Sequence, residues 1–290
     1  MLTVNPVDVV LWTIRRNEKD VIKLYDSLSS IMQLATGATM LNFGYWEGDV
    51  HGPVEAQSKL CSFVGTLADL NSSNTIIDVG SGYGTPALQW SEEFKPRNII
   101  CLNINSQQLV KGFKRRNQRI YQQTHISYIN STSLSLPFAD RSVERIIALE
   151  SAQHFKPFDR FIAESYRILQ PNGFLVISMP VTVFLANAMK KLFKLGILNL
   201  TWSSERYESE YVKSIIERHK FRILDLSMIG AQVYAPLALY YIQHRKSLRE
   251  KIVTYYPPII EKILYNSLVK MMNISKEGLI EYIVIKARKS

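Results

Sequence analysis

Seven residues between an apolar run and a helical pattern concentrate the chemistry of this chain: Asp78-Val79-Gly80-Ser81-Gly82-Tyr83-Gly84. Glycines at a strand-to-helix turn let a ligand lie against backbone at the carboxyl edge of a sheet, where open α/β sheets bind ligands. The spacing argues against two common occupants. A dinucleotide fingerprint puts its third glycine where this chain has Thr85, with Gly84 one place early. A phosphate loop continues into Gly-Lys-Ser/Thr, which does not follow here. A carboxylate repels phosphate and attracts a cationic amine, so Asp78 points to a nucleoside that carries positive charge and no phosphate. Further on, Glu150 and His154 pair a carboxylate with an imidazole; if 150–154 is helical, their i, i+4 spacing puts them on one face.

These residues need a sheet to hold them, and from Asn74 onward β-branched apolar runs alternate with helical patterns, as in a parallel sheet covered on both faces. Seven strands are predicted at 75–80, 98–104, 126–129, 145–150, 173–179, 221–229 and 279–287, with helices at about 85–94, 106–122 and 158–169. Pro171-Asn172-Gly173 is expected to end the last of these helices and turn the chain into the fifth strand. Residues 1–73 read as mostly helical, interrupted by the Gly/aromatic segment LNFGYWEGDVHGP at 41–53. The segment 183–195, VFLANAMKKLFKL, is a basic amphipathic helix by pattern, apolar at Leu185, Met189, Leu192 and Leu195 with Lys190, Lys191 and Lys194 around it.

DVGSGYG, LPFADRSVERIIALESAQHF at 136–155 and FIAESYRILQPNGFLVIS at 161–178 occur in that order. Together they resemble the class I S-adenosylmethionine-dependent methyltransferases over about residues 70–180. The resemblance implies a Rossmann-like, doubly wound α/β fold: a seven-stranded sheet of six parallel strands and an antiparallel last strand. It also implies an N-terminal helical lid (1–73), a cofactor-binding core (74–180), a cap with the sixth strand (181–278) and the last strand (279–290), in one integrated domain. S-adenosyl-L-methionine would be the cofactor and no metal is expected. Asp78, Gly80, Ser81, Gly82 and Gly84 would hold its methionine part and ribose; Asn103, Ile104, Gln108, Ser131, Thr132 and Glu150 would complete the site. Asn103 stands where the family usually has an acidic residue for the ribose hydroxyls, and Thr132 where it has the adenine-binding Asp; both changes remove charge assistance.

The segment Asn103-Ile104-Asn105-Ser106-Gln107-Gln108, LNFGYWEGD at 41–49 and ALESAQHF at 148–155 are similar to small-molecule and lipid enzymes of that class, including sterol C-methyltransferases, tocopherol methyltransferases and rebeccamycin-type sugar O-methyltransferases. Nucleic acid is not the expected partner. The Asp/Asn-Pro-Pro-aromatic motif of exocyclic-amine enzymes is replaced by Glu150-Ser151-Ala152-Gln153-His154, and neither Cys61 nor Cys101 follows a proline. For an oxygen acceptor His154 is the natural general base; for an alkene, Glu150 with Tyr45, Trp46, Phe155 or Tyr234 would stabilise a carbocation. The aromatic content of 181–278 suggests a lipophilic small-molecule acceptor in C- or O-methylation. A catalytically inactive membrane-peripheral binding protein and a nicotinamide-dependent oxidoreductase are the competing readings.

Composition bounds these expectations. The 290 residues hold 47% hydrophobic residues and two cysteines with no CxxC spacing, which excludes a disordered chain and a disulfide scaffold. The net charge of +10 is C-terminal: residues 1–182 carry 17 Lys+Arg against 16 Asp+Glu, whereas 183–290 carry 18 against 9. Such asymmetry suggests an anionic partner surface. The longest uncharged run, 168–189, is broken by Gln170-Pro171-Asn172-Gly173 and Pro180, and Arg15 and Arg16 follow rather than precede the first apolar stretch. A cytoplasmic protein with peripheral membrane contact through 183–195 is the resulting expectation.

Overall fold

The computed structural model describes residues 17–117, 124–183 and 207–290. Its centre is a seven-stranded sheet of β1 (Thr75–Val79), β2 (Asn98–Asn103), β3 (His125–Asn130), β4 (Val143–Leu149), β5 (Leu169–Thr182), β6 (Phe221–Met228) and β7 (Ile280–Lys289), in the order β3-β2-β1-β4-β5-β7-β6. The β1, β2, β3, β4 and β5 ladders are parallel, and β6 runs antiparallel to β7. Interior strands read as nearly unbroken apolar runs because both of their faces are covered: Ile76, Ile77, Ile146, Ile147, Val176 and Ile177 have no exposed surface. The edge strand β6 instead alternates with charges at Arg222 and Asp225.

The chain leaves β1 toward β2 and β3 on one side, then returns to build β4 on the other. That reversal opens a crevice beyond the carboxyl ends of β1 and β4, where doubly wound sheets bind ligands. The glycine loop follows β1 and Glu150 follows β4, so the order of strands delivers both sequence signals to one edge.

Nine helices are present among the described residues: α1 (Glu18–Thr36), α2 (Pro53–Leu67), α3 (Thr85–Glu93), α4 (Ser106–Arg116), α5 (Phe158–Ile168), α6 (Ser209–Arg218), α7 (Tyr234–Gln243), α8 (Arg245–Tyr255) and α9 (Pro258–Lys276). The described residues cluster into two compact units. One contains 17–57, 180–183, 207–208 and 229–282; the other contains 58–117, 124–179, 209–228 and 283–290. In the first, Leu24, Leu28 and Ile31 of α1 share an apolar core with Tyr241, Leu248, Ile252 and Ile260. Asn17 caps α1 by accepting from Asp20 N at 3.2 Å.

One expectation changes, and two extend beyond the described residues. The fifth strand starts at Leu169, ahead of Pro171-Asn172-Gly173: Leu169 pairs with Val143, and a register irregularity takes up the Pro-Asn-Gly insertion before Phe174 pairs with Arg145. The described part of the helix predicted to 122 ends at Arg116, where residues 118–123 leave the described chain. Apart from Val183, the basic segment 183–195 also lies outside the described residues.

A single glycine couples α4 to the glycine loop. A Cβ at Gly112 would stand 2.2 Å from the Tyr83 carbonyl oxygen and 3.1 Å from the Tyr128 ring. Alanine normally stabilises a helix interior by about 1 kcal/mol relative to glycine. Here Gly112→Ala is expected to destabilise by about 1–3 kcal/mol through overpacking, while neighbouring Lys111→Ala stays within about 0.5 kcal/mol of the parent in denaturant titration. A rise in stability for Gly112→Ala would show that the loop yields freely.

Candidate active site

Asp78 lies at the carboxyl end of β1 between Cys101 of β2 and Ile147 of β4, with 1% of its surface exposed. Burial pushes its carboxyl up to about 7, and its Oδ2 has no hydrogen-bond partner among the described residues. A buried acceptor of this kind is costly unless something cationic or a donor meets it. The loop beyond it is pinned from beneath, since Gly80 N and Ser81 N both donate to Leu102 O, at 2.7 and 3.1 Å.

Gly80 and Gly82 serve opposite purposes. At Gly80 a Cβ would stand 2.3 Å from Ser151 Cβ, so glycine is what allows the segment after β4 to close on the loop. Ser151 Oγ then donates to Val79 O at 2.6 Å, tying the ends of β1 and β4 together. At Gly82 the backbone is left-handed, with φ 57°, and nothing lies within 4 Å of where a Cβ would be. This is open backbone of the kind a ligand can rest on.

The end of β2 is an amide cluster. Asn103 Nδ2 donates to Gly82 O at 3.2 Å and to Gln108 Oε1 at 2.8 Å, and its Oδ1 accepts from Asn105 N at 3.4 Å. Asn105 caps α4 by accepting from Gln108 N at 3.1 Å. Both amide hydrogens of Asn103 are therefore spent on the protein, so its side chain has only the remaining acceptor capacity of Oδ1 to offer a ligand. Ile104 accepts from Asn130 Nδ2 through its carbonyl at 2.9 Å. Ser131 N donates to Asn103 O at 3.2 Å, which draws the end of β3 to the same edge, and Thr132 Oγ1 accepts from Leu134 N at 3.1 Å.

The helical geometry expected for 150–154 is absent. Glu150 adopts a left-handed backbone, φ 48°, as its N donates to Ser178 O at 2.9 Å in a last bond along β5. Only Ala152–His154 then makes a single 3₁₀ turn, with His154 N donating to Ser151 O at 3.0 Å. The i, i+4 argument thus fails, because the strand's last hydrogen bond wins over helix initiation; the two residues still share the connection after β4. Gln153 Nε2 holds the turn by donating to Glu150 O at 2.7 Å. Phe155 packs edge-on against Phe161, ring centroids 4.7 Å apart. Glu164 and Arg167 are structural: Glu164 Oε2 accepts from Leu136 N and from Arg167 Nη2, both at 2.9 Å, and the guanidinium also holds the Leu136 and Phe138 carbonyls.

The aromatic candidates of the other unit are placed by their own contacts. Tyr45 N donates to Ala56 O and Trp46 N to Gln232 O, each at 2.8 Å, and the Trp46 ring lies 5.7 Å from that of Tyr240. Tyr234 is fully buried, with its hydroxyl donating to Glu281 O at 2.9 Å and its ring beside Phe43 and Tyr282. It is a core residue with no accessible face.

The model of a family described as a methyltransferase domain matches residues 77–177, a span running from β1 into β5. Over this span the chain is similar to methyltransferase domains. The buried, unpartnered Asp78 oxygen beside the open Gly82 backbone fits a ligand with a cationic amino-acid end. The match sets aside the nicotinamide alternative. Among relatives, an erythromycin 3''-O-methyltransferase of Saccharopolyspora erythraea is 26% identical over 58% of this chain and 54% of its own length. A sterol 24-C-methyltransferase of Eremothecium gossypii is 24% identical over 53% and 40%. The chain thus spans about half the length of these curated relatives. The solved structure of the cyclopropane synthase MmaA2 from Mycobacterium tuberculosis matches with a TM-score of 0.79, 15% identity and 99% coverage of both chains, which shows the shared fold.

Ser151 escaped the sequence reading because a small polar residue in a loop carries no signal until its neighbour is known to be a glycine with no room for a Cβ. Asp78, by contrast, titrates in a way that tests the domain. Its folded pKa is raised, from 3.8 to about 7, so the ligand-free protein loses stability as pH climbs through that window, by up to about 4 kcal/mol. Asp78→Asn is expected to flatten this loss in thermal unfolding between pH 4 and about pH 8. Equal pH dependence in parent and variant would contradict the burial argument.

Proposed function

We propose that the chain transfers a methyl group from S-adenosylmethionine to a carbon or oxygen of a small lipophilic molecule. The observation that carries this reading is the buried Asp78 carboxylate beside open glycine backbone within the matched domain. The relatives named above act, by their names, on a 3''-oxygen of erythromycin and on carbon 24 of a sterol, which supports O- or C-transfer to a small organic acceptor. When bound, the cofactor supplies an electrophilic methyl group on a sulfonium.

The residues of the chain divide the remaining work. Asp78 would meet the cationic amino-acid end, with Gly80, Ser81, Gly82 and Gly84 offering backbone along the methionine part and ribose. Asn103 Oδ1, Ile104 and Gln108 would receive the ribose edge, and Ser131 and Thr132 the adenine. Glu150, turned by its left-handed backbone, stands at the end of β4, the edge from which an acceptor must be aligned for in-line displacement. His154 would take the proton of an oxygen acceptor; with a carbon acceptor, Glu150 and the Phe155 ring would face developing positive charge. Tyr45 and Trp46 remain proposed acceptor contacts, whereas Tyr234 is better assigned to the core.

Titration calorimetry with S-adenosylhomocysteine, with NADH as comparator, tests the reading. One-to-one binding of the former alone is expected. It should tighten about 10-fold from about pH 6 to pH 8 as Asp78 ionises, and lose that dependence in Asp78→Asn. Gly82→Leu should stay folded, at a cost of about 1–2 kcal/mol for the left-handed backbone, and fail to bind. If the ligand binds, His154→Gln should lower the turnover of an oxygen acceptor by about 10²–10⁴-fold with affinity for S-adenosylhomocysteine kept. Absence of binding at millimolar ligand would overturn the proposal.

A further inference from the structure

Helices α8 and α9 present a group of cations that the methyltransferase domain does not use. Glu261 of α9 is buried, with 1% of its surface exposed, and takes Arg245 Nε at 2.9 Å and Nη2 at 3.3 Å; Arg249 Nε is 3.8 Å away. Tyr241 OH donates to the same carboxylate at 3.4 Å. A carboxylate taken out of water must be paired, and this one is paired twice over. Two guanidinium groups on one carboxylate leave a positive charge uncompensated. Arg245 is further fixed with its guanidinium 3.5 Å from the Tyr265 ring centroid.

Next to this cluster is a cleft of about 430 Å³ bordered by Arg245, Arg249, Lys262 and Asn266. Three cations and one carboxylate border it, a net of +2 (3 − 1). Arg249, Lys262 and Asn266 are exposed, so the charge faces solvent. At one end, the Pro257-Pro258 turn that joins the two helices carries Tyr255 and Ile259, which are 50% and 57% exposed. An exposed Ile259 in the lining of a cationic cleft, with exposed Tyr255 four residues before it across the turn, matches a surface that has anionic headgroups above an apolar layer.

We propose that the α8–α9 turn docks on an anionic phospholipid surface, a lipid phosphate seating between Arg249 and Lys262 beside Arg245 while Tyr255 and Ile259 enter the headgroup layer. The fixed Arg245 and the more exposed Arg249 supply planar guanidinium groups for phosphate, and the two apolar side chains distinguish a bilayer from a soluble polyanion. The C-terminal excess of charge is then a docking field, and the acceptor of the enzyme and the surface it reaches are matched in chemistry. The surface stands independently of methyl transfer, since its occupant touches none of the residues assigned to the cofactor.

Flotation of the full chain with phosphatidylcholine vesicles, with and without phosphatidylglycerol, tests the docking surface without cofactor. Binding to the anionic vesicles alone is expected, weakening with salt. Arg249→Gln with Lys262→Gln, and separately Tyr255→Ser with Ile259→Ser, should each reduce it by about 10- to 30-fold while thermal unfolding and S-adenosylhomocysteine affinity stay at parental values. Arg245 is left in place because it neutralises Glu261. Lys190→Gln, Lys191→Gln and Lys194→Gln together serve as the comparison for the other basic segment. The proposal is overturned by absence of flotation, by equal flotation with neutral vesicles, or by parental binding in both double variants. Restriction of the loss to the triple lysine variant, or suppression of binding by millimolar inorganic phosphate in the Tyr255/Ile259 variant and parent alike with no apolar contribution, would also overturn it.

Discussion

A carboxylate held away from water at the end of a central strand is the constraint around which this domain is organised. Asp78 cannot be relieved by solvent, and its neighbours across the sheet are Cys101 and Ile147, neither of which offers a charge. The free energy spent on burying it is recovered only when a donor or cation arrives from the open side. The features around it keep that side defined: two backbone N–H groups fold the glycine loop onto Leu102, Ser151 fastens the end of β4 to Val79, and Gly82 leaves backbone uncovered. A site arranged in advance in this way need not reorganise when ligand binds, which is where its affinity would come from.

The parts of the fold that were legible in the sequence are those governed by local periodicity. The interior strands follow from β-branched apolar runs, because a strand buried on both faces has to be apolar at nearly every position, whereas the edge strands β3 and β6 are partly exposed and show as apolar runs mixed with polar residues. The glycine loop was legible because its glycines stand at fixed distances from a carboxylate. The acceptor edge was less so, and the reason is competition. Residues 150–154 suit a helix by composition, but Glu150 N has a strand carbonyl, Ser178 O, within reach, and a bond continuing the sheet outweighs the start of a short helix. Likewise Pro171-Asn172-Gly173 looks like a stop, yet Leu169 already pairs with Val143 and the strand carries the turn residues as an irregularity. Long-range pairing decided both cases, and periodicity cannot see it.

Asn103 shows a subtler limit. Its position after β2 was readable, and so was its lack of charge. What the sequence could not show is that its amide group is shared between Gly82 O and Gln108 Oε1. An acidic residue there could not donate to either oxygen. The Asn-Ile-Asn-Ser-Gln-Gln segment is therefore a unit: Asn103 closes the loop, Gln108 receives it, and Asn105 caps the helix that Gln108 belongs to. Substitution of a charged acceptor by an amide costs the ribose a charge-assisted bond and gives the loop a tether in exchange.

The same logic of paired and unpaired charge separates the two basic features of the chain. Arg167 is met by two carboxylates, Glu164 and Asp140, and its guanidinium also donates to the Leu136 and Phe138 carbonyls, so that cluster holds structure and leaves no positive charge over. Glu261 is met by two arginines, and the nearby Lys262 adds a third cation at the cleft. Burial of one carboxylate thereby fixes Arg245 firmly and brings Arg249 near it, which removes much of the side-chain entropy that an exposed arginine would lose on meeting a phosphate. A sequence shows the number of charges; only their pairing shows which of them are available, and here that distinction turns a general basic excess into a localised surface.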